Sequence, residues 1–184
     1  MKDKQEIQVR DLDLVFVDTE LTGLDSKHEI VEIGFVKVKA GSYDVITEKV
    51  IKIKPVRLQD ANPDSLVISG YNAKDWADAV DLKTGLEEFL SYTEDCMLVG
   101  QNLAIDWFFI KKSLDECNLK ANYYYKGLDT FTLAWSVLKD DPALKRFSLS
   151  ELAPRFNIDP GTHHRALDDA KTTFQVFLEL IRPH

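Results

Sequence analysis

Hydrophobic and polar residues alternate in the first third of the chain. Residues 12–17 form a short apolar run with β-branched side chains, and residues 30–38 alternate between apolar and polar positions. Residues 45–53 alternate in the same way, with lysine on the polar face. A period of two is typical of β-strands, and the gap at residues 40–42 is short enough for a hairpin. The pattern therefore predicts three neighbouring strands in an antiparallel meander.

After Pro55 the apolar positions recur mostly at helical spacing. An S-x-x-E sequence at residues 148–151 predicts a capping box. Strands followed by strands that alternate with helices predict an α/β fold, with a mixed sheet and helices packed on it. The predicted elements are helices at 82–92, 103–117, 130–138 with Asp129 as N-cap, 149–157 and 166–181, and a short buried strand at 97–99.

The composition is that of a globular chain that folds as a single domain, residues 1–184, with a core from about residue 12 to 181. It has 184 residues, of which 45% are hydrophobic and 29% charged, and this excludes intrinsic disorder. No apolar run is long enough for a membrane span, and the first ten residues contain no secretory signal. Two cysteines cannot form a disulfide framework, so a reducing cytoplasm is the expected location.

The charge balance limits the kinds of partner. The chain has 23 Lys+Arg and 31 Asp+Glu, which gives a net charge of −8. This balance argues against a protein that coats long duplex nucleic acid, because neutralising phosphates requires basic residues. It does not argue against a small acidic site that holds metal ions.

Two carboxylates continue a face of the first strand that is otherwise apolar. Phe16, Asp18 and Glu20 have the same parity, so their side chains lie on one face. At ~3.3 Å per residue the two acids lie about 6.6 Å apart along the strand, close enough to converge on a cation. The alternative is a strand end at which both acids are simply solvated, since surface acids are common.

A third carboxylate, Asp106, lies within the apolar stripe of a predicted helix, between Leu103 and Ile110. Burying an unpaired carboxylate is costly, so a buried Asp106 would have to meet a cation or a hydrogen-bond donor. The alternative is an ordinary first-turn acid that the helix dipole stabilises, with Asn102 as the cap.

The segment HHRALDDA, residues 163–170, opens the last predicted helix with two adjacent acids. Helical geometry places Asp169 on the side that borders the core and Asp168 on the solvated side. His164 would diverge from Asp169 by about 140° on a continuous helix, but from a loop it can fold back over the same site. The alternative is that these acids and histidines are ordinary surface groups.

Together, the acids indicate a metal site. A cluster of like charges is unfavourable unless cations bind among them. Oxygen ligands suit Mg²⁺ or Mn²⁺ better than zinc, and a pair of such ions serves in-line displacement at phosphorus.

Three segments resemble the three motifs of the DEDDh (DnaQ-like) 3′→5′ exonuclease family. They are VDTELTGLD (17–25), VGQNLAIDWFFI (99–110) and HHRALDDA. The family includes the proofreading epsilon subunit of bacterial DNA polymerase III, RNase T and oligoribonuclease. The resemblance extends over nearly the whole chain and implies a ribonuclease H-like α/β fold with a mixed five-stranded sheet and flanking helices.

The resemblance implies a catalytic role for each acid. Asp18, Glu20 and Asp169 would hold two divalent ions, Mg²⁺ or Mn²⁺, with Asp18 bridging them, and Asp106 would act on the second ion. His164 would be the general base, because imidazole titrates near neutral pH. The enzyme would hydrolyse the last phosphodiester bond of short single-stranded DNA or RNA and release nucleoside 5′-monophosphates.

The resemblance also implies a pocket for the 3′-terminal nucleotide. Thr19, Thr22, Gly23, Leu24 and Asn102 would contact this nucleotide, with Leu24 wedged against its base. Without the resemblance, residues 22–24 would be a plain loop after a strand.

The chain departs from the family at Gln101, where the second motif often begins with histidine. Gln101 is not one of the four acids, so we expect activity to survive, and the hydrogen bonding beside the terminal nucleotide stays open. The doubled His163-His164 is ambiguous, and the spacing to Asp169 favours His164.

The partners implied are single-stranded 3′ ends, with no membrane. Most basic residues are expected to be solvated, so a distributive enzyme that acts on short strands is predicted. Aromatic residues can stack on bases, although they more often pack in a core. The candidate basic residues are Lys111, Lys112, Lys145, Arg146 and Arg165, and the candidate aromatic residues are Phe108, Tyr123, Tyr124 and Tyr125.

Other functions remain open at this stage. One is a ribonuclease H-like module that binds nucleic-acid ends or a polymerase without cutting. Another is a structural α/β domain whose acids are caps and surface groups. Within the exonuclease hypothesis, proofreading of DNA and trimming of RNA are both open. No extension resembles the one that tethers the epsilon subunit to its polymerase, so we expect a freestanding chain with at most a loose polymerase association.

Overall fold

The computed structural model describes residues 8–162 and 164–182. The strands are β1 (Leu14–Leu21), β2 (Ile30–Val38), β3 (Val45–Lys52), β4 (Met97–Gly100) and β5 (Leu128–Asp129). The helices are α1 (Pro63–Ile68), α2 (Leu82–Thr93), α3 (Ala104–Glu116), α4 (Thr130–Leu138), α5 (Leu149–Arg155) and α6 (Ala166–Leu180). Among the described residues, no helix combines the length and the apolar composition needed to cross a membrane.

The five strands form one mixed sheet in the order β3-β2-β1-β4-β5. β1 pairs antiparallel with β2, and β2 pairs antiparallel with β3, so the first three strands form the predicted meander. β4 lies parallel to β1, and β5 lies parallel to β4. The predicted α/β class and the mixed five-stranded sheet are confirmed.

β1 is the central strand, and its two faces belong to different core layers. Val15 and Val17 pack in a cluster with α2 and α3, whereas Phe16 packs against α6. Asp18 and Glu20 continue the face of Phe16, as the parity predicts. β1 pairs with β2 as far as Leu21, so both acids lie within the strand and the alternative of a solvated strand end is wrong.

The first turn of α6 lies directly on β2. Gly34 pairs with Asp18 across the sheet, and a Cβ added to Gly34 would lie 2.1 Å from the carbonyl carbon of Ala166. Farther along, the rings of Phe16 and Phe174 lie 4.9 Å apart between centroids. The absence of a side chain at Gly34 therefore allows α6 to bring its first turn close to the acids of β1.

The predicted capping box at residues 148–151 is wrong. Ser148 is the N-cap residue of α5, but its hydroxyl lies 2.8 Å from the hydroxyl of Ser150 instead of capping the helix. The Glu151 carboxylate accepts hydrogen bonds of 2.7–3.0 Å from the N–H groups of residues 145–147. Because the loop before α5 supplies these donors, Glu151 fixes that loop.

The cap that the alternative interpretation of Asp106 assigned to α3 is also wrong. Asn102 has a φ of +59°, and Leu103 is the N-cap residue, without a side-chain cap. The N–H group of Asn102 instead donates to Asp129 Oδ1 at 3.0 Å. Asp129 caps α4 as predicted, since the same oxygen accepts from Phe131 N.

We expect Gly34→Ala to lower the free energy of unfolding by at least about 2 kcal/mol, because the added methyl group requires α6 to move away from β2. Gly41→Ala is the control. Nothing lies within 4 Å of a Cβ at that position, and its φ of +78° predicts only backbone strain of about 1 kcal/mol. Urea unfolding curves measure both losses. Equal losses would contradict the close packing of α6 on Gly34.

Candidate active site

Asp106 is buried beside β1 and is held there by Thr19. The N–H and hydroxyl groups of Thr19 both donate to Asp106 Oδ1, at 2.8 and 2.7 Å. The apolar stripe of α3 brings Asp106 inward, as its spacing predicts, and Thr19 supplies the donors that a buried carboxylate needs. Asp106 thereby lies next to Asp18 and Glu20.

His164 and Asp169 approach the same acids from α6. The N–H group of His164 donates to Asp169 Oδ2 at 3.0 Å, and the φ of His164 is +60°. One ligand atom each from Glu20, His164 and Asp169 lies within 4.8 Å of the other two. His164 thus folds back from a loop toward Asp169, whereas His163 lies outside the described residues.

Sequence reasoning missed Glu32, which pairs with Glu20 across the sheet and is buried. Its Oε1 accepts a hydrogen bond of 3.1 Å from the N–H group of Ala166, the first residue of α6. The neighbouring Arg165 donates to Ser69 O at 2.7 Å. β2 is buried on both faces, so its polar position at Glu32 is not a solvated one, and an acid between Val31 and Ile33 is the signal in the sequence.

Two clefts meet at the acids. One is named the Leu24 cleft after a residue of its lining and has a volume of about 340 Å³. The other is named the Phe131 cleft in the same way and has a volume of about 670 Å³. Asp18, Gln101 and Asn102 line both clefts. The Leu24 cleft is also lined by Thr19, Glu20, Gly23, Leu24, Ile68, Ile105 and Asp106, and the Phe131 cleft by Phe131, Arg146, Ser148, Leu149, Ser150, His164 and Asp169.

Of the five residues predicted to contact a terminal nucleotide, Thr22 does not line the Leu24 cleft. Its side chain is buried, and its hydroxyl accepts a hydrogen bond of 2.9 Å from Glu29 N. Thr22 therefore fixes the loop that carries Leu24. The other four residues line the cleft.

Gln101 has a defined structural task. Its Nε2 donates to Phe147 O at 2.7 Å, and its Oε1 accepts from the hydroxyl of Thr130 at 2.6 Å. The side chain therefore joins β4 to the start of α4 and to the loop before α5. Both polar atoms of the Gln101 side chain are thus bonded within the protein.

A sequence model of the exonuclease family RNase_T matches residues 15–177. The chain belongs to this exonuclease family. Family members are hydrolytic nucleases that generally use divalent metal ions. The resemblance to DEDDh exonucleases is thereby confirmed.

Relatives of this exonuclease occur among bacterial replication proteins. The PolC-type DNA polymerase III of Thermotoga maritima is 34% identical over 172 residues, which cover 93% of this chain and 12% of that protein. The chain thus spans only a small part of the PolC-type relatives. The DNA polymerase III subunit epsilon of Aquifex aeolicus is 29% identical over 174 residues, which cover 91% of this chain and 79% of that protein.

Solved structures share the fold of the exonuclease at low sequence identity. The nuclease domain of 3′hExo, a DEDDh family member bound to rAMP, superposes with a TM-score of 0.76 and 15% identity, covering 92% of this chain and 91% of that chain. Escherichia coli exonuclease I in complex with a dT13 oligonucleotide superposes with a TM-score of 0.77 and 15% identity, covering 90% and 40%. The ribonuclease H-like fold is confirmed.

Burial first, and the charges of neighbouring acids second, raise the pKa of three carboxylates of the exonuclease. Burial, followed by the charges of Asp106 and Asp169, raises the pKa of Asp18 well above its usual range. Burial and Asp169 raise the pKa of Glu20 to about 7. Burial raises the pKa of Asp106 to about 7, against the lowering effect of the Thr19 hydrogen bonds.

This donor set fits hard divalent cations. Carboxylate oxygens are the ligands that Mg²⁺ and Mn²⁺ prefer, and a cation relieves the repulsion that raises these pKa values. A ring nitrogen of His164 lies within 4.8 Å of a carboxylate oxygen of Glu20 and of one of Asp169.

Most of the predicted basic surface is occupied by other contacts. Lys111 pairs with Asp115, and Lys112 lies 3.6 Å from Glu116. Of the five predicted basic residues, Arg146 alone is among the described residues that line either cleft. The predicted aromatic set lies elsewhere: Phe108 lines a groove on α3, and the tyrosines at 123–125 line a separate groove.

We expect the metal-free exonuclease to lose stability as pH rises from about 5 to 8. The folded-state pKa of Glu20, about 7, lies above its ordinary value of 4.5, so the folded state binds more protons between these values. The stabilisation from this proton is fully present below pH 4.5 and is lost as the pH rises through about 7. Urea midpoints in EDTA measure the effect.

Glu20→Gln is the matched variant, and it should reduce this pH dependence without abolishing it, because the pKa values of Asp18 and Asp106 are raised as well. Mg²⁺ or Mn²⁺ at pH 8 should raise the urea midpoint of the unaltered chain, because a ligand that binds only the folded state stabilises it. A midpoint that is independent of both pH and metal would contradict the clustered-acid site.

Glu32→Ala and Glu32→Gln should differ. The alanine leaves the buried N–H of Ala166 without an acceptor, which costs about 1–3 kcal/mol, whereas the glutamine retains an oxygen there. We therefore expect the alanine variant to have the lower urea midpoint and the weaker stabilisation by Mn²⁺. Identical behaviour of the two variants would show that the hydrogen bond does not position α6.

Proposed function

We propose that the chain is a single 3′→5′ exonuclease domain that shortens single-stranded nucleic acid from its 3′ end and releases nucleoside 5′-monophosphates. The observation that carries the proposal is the convergence of Glu20, His164 and Asp169, with ligand atoms within 4.8 Å of one another. This group lies beside Asp18, at the junction of two clefts that a strand can follow.

Asp18, Glu20 and Asp169 would hold two divalent ions, Mg²⁺ or Mn²⁺, with Asp106 acting on the second. Bound ions would neutralise charge at the reacting phosphate and assist attack by water and departure of the 3′ oxygen. Thr19 keeps Asp106 in place through two hydrogen bonds. The acids of this chain thus supply the charge that a pair of cations requires.

His164 would accept the proton of the attacking water at an imidazole nitrogen. Its side chain is exposed and lines the Phe131 cleft, so water and substrate can reach it. The backbone N–H of His164 donates to Asp169, and this bond fixes the loop that carries the imidazole. General-base catalysis typically contributes about 10²–10⁴-fold to the rate.

The Leu24 cleft would bind the base of the 3′-terminal nucleotide. Leu24 is 72% exposed, Ile68 is 51% exposed and Ile105 is 38% exposed, and all three line this cleft. A base placed among these side chains would remove apolar surface from water. Gly23, with a φ of +153°, keeps the loop close to His28, where an added Cβ would clash.

The setting of the reaction is part of the proposal. Relatives that are named as DNA polymerase III proteins support DNA as the substrate, the cytoplasm as the location and a loose association with a polymerase. The structural neighbour bound to rAMP supports trimming of RNA as the second candidate. With a net charge of −8, we expect short strands and distributive action.

Digestion of 5′-labelled single-stranded DNA and RNA decamers with Mn²⁺ tests the proposal. We expect a ladder of one-nucleotide steps, and a rate that falls by about 10²–10⁴-fold in His164→Ala and at least as far in Asp18→Asn. The preferred sugar appears in the same experiment. Asp168→Asn is the matched control, since Asp168 is adjacent to Asp169 but accepts from Thr162 N in the loop.

Full cleavage is expected in the Asp168→Asn control. If neither decamer is cleaved while Mn²⁺ still stabilises the fold, the catalytic proposal is wrong and a non-catalytic end-binding module takes its place.

A further inference from the structure

The Phe131 cleft has about twice the volume of the Leu24 cleft, about 670 Å³ against about 340 Å³. Both clefts contain Asp18, Gln101 and Asn102. A strand with its 3′-terminal nucleotide in the Leu24 cleft and its last phosphate at Asp18 would therefore continue into the Phe131 cleft. The next nucleotide of the strand would meet the residues of that wall.

The wall presents an aromatic ring that is fixed from behind. Phe131 is 40% exposed and lies in the first turn of α4. Its ring meets that of Phe147 at 85°, with 6.4 Å between centroids. Leu149 lines the cleft beside it. An exposed ring held in this way offers a flat apolar face at little cost in side-chain entropy, which suits stacking by a base.

The same wall presents a cation on a fixed loop. Glu151 accepts from the backbone N–H of Arg146 at 2.7 Å and from both neighbouring N–H groups. Gln101 holds the next residue through Phe147 O at 2.7 Å. Arg146 lines the Phe131 cleft, where its guanidinium can meet a ligand. The backbone N–H of Arg146 lowers the pKa of Glu151 and its charge lowers it further, although the two side chains are not among the ion pairs of the described residues.

On the basis of the proposed exonuclease function, we propose that the Phe131 cleft binds the penultimate nucleotide of a single strand. Phe131 stacks on its base, and Arg146 binds the phosphate on its 5′ side. Gln101 and Glu151 are positioning residues that hold the loop of Arg146 against the cleft. Recognition is independent of base identity, since every base presents a π-face and every nucleotide a phosphate.

Paired substrates isolate each contact. Phe131→Leu, which keeps an apolar side chain against Phe147, should lower kcat/KM about tenfold on the trinucleotide d(TpTpT) but less than twofold when the middle nucleotide is abasic. Arg146→Ala should lower kcat/KM about tenfold on 5′-phosphorylated d(pTpT) and less than twofold on d(TpT), which lacks that phosphate.

Two matched controls come from the same elements. Trp135→Ala removes an aromatic side chain that is 53% exposed, one helical turn after Phe131, and Lys145→Ala removes the cation next to Arg146. Neither residue lines the Phe131 cleft. Both controls should cleave all four substrates as the unaltered chain does.

The outcomes separate the subsite from the proposed function. Equal losses on both members of a substrate pair would overturn the contact tested. If the unaltered chain cleaves no substrate, the exonuclease proposal fails, and fluorescence anisotropy with 5′-fluorescein-labelled decathymidylate in Ca²⁺ decides the subsite. Weaker binding by Phe131→Leu and Arg146→Ala than by the two controls supports it, and equal binding overturns it.

Discussion

The removal of several neighbouring carboxylates from water is the constraint on which the rest of this structure depends. Asp18 and Glu20 lie on the central strand, Asp106 comes from α3 and Asp169 comes from α6. Each of three separate elements thus delivers a charge to one poorly solvated place, and the pKa values of Asp18, Glu20 and Asp106 rise as a result. Such an arrangement is unfavourable by itself and becomes favourable when cations bind.

The scaffold offsets this penalty with contacts that do not depend on the cations. β1 pairs with β2 along its whole length, so the backbone of both acids is fixed by the sheet. On β2, opposite these acids, two residues contact the first turn of α6. Gly34 allows the close approach because it has no side chain, and Glu32 accepts a hydrogen bond from the N–H group of Ala166. The strand that neighbours the acids therefore positions the helix that completes the site.

Local pattern was sufficient to predict four of the five strands and five of the six helices of the described residues, and the side on which each acid lies; β5 and α1 were not predicted from it. Parity placed Asp18 and Glu20 together, and helical spacing turned Asp106 and Asp169 inward, because these relations depend on a few consecutive residues. The alternative of a solvated strand end fails because β1 continues past the apolar residues through its pairing with β2. Backbone pairing does not require apolar side chains.

The contacts that were missed join distant parts of the chain. Glu32 and Ala166 are 134 residues apart in sequence, and Gln101 and Phe147 are 46 apart. A capping box was predicted at Ser148 because it is defined by local spacing, but a loop whose fold depends on Gln101 offered Glu151 better donors. Periodicity within one segment carries no information about a partner in another segment, so these pairings became visible only in three dimensions.

Under the proposed function, the acidity of the chain and the binding of a polyanion are compatible, because bound cations would supply the positive charge where it is needed. A phosphate at the junction of the clefts would be held by ions bound to the four acids, so the surrounding surface requires few basic residues. The positions of Lys111 and Lys112 agree with this, since both interact with acids of α3. Binding concentrated at the 3′ end then limits the contacts that a long strand can add. Because few phosphates would be neutralised, few contacts would hold the shortened strand after each cleavage. This would favour release of the strand after each step.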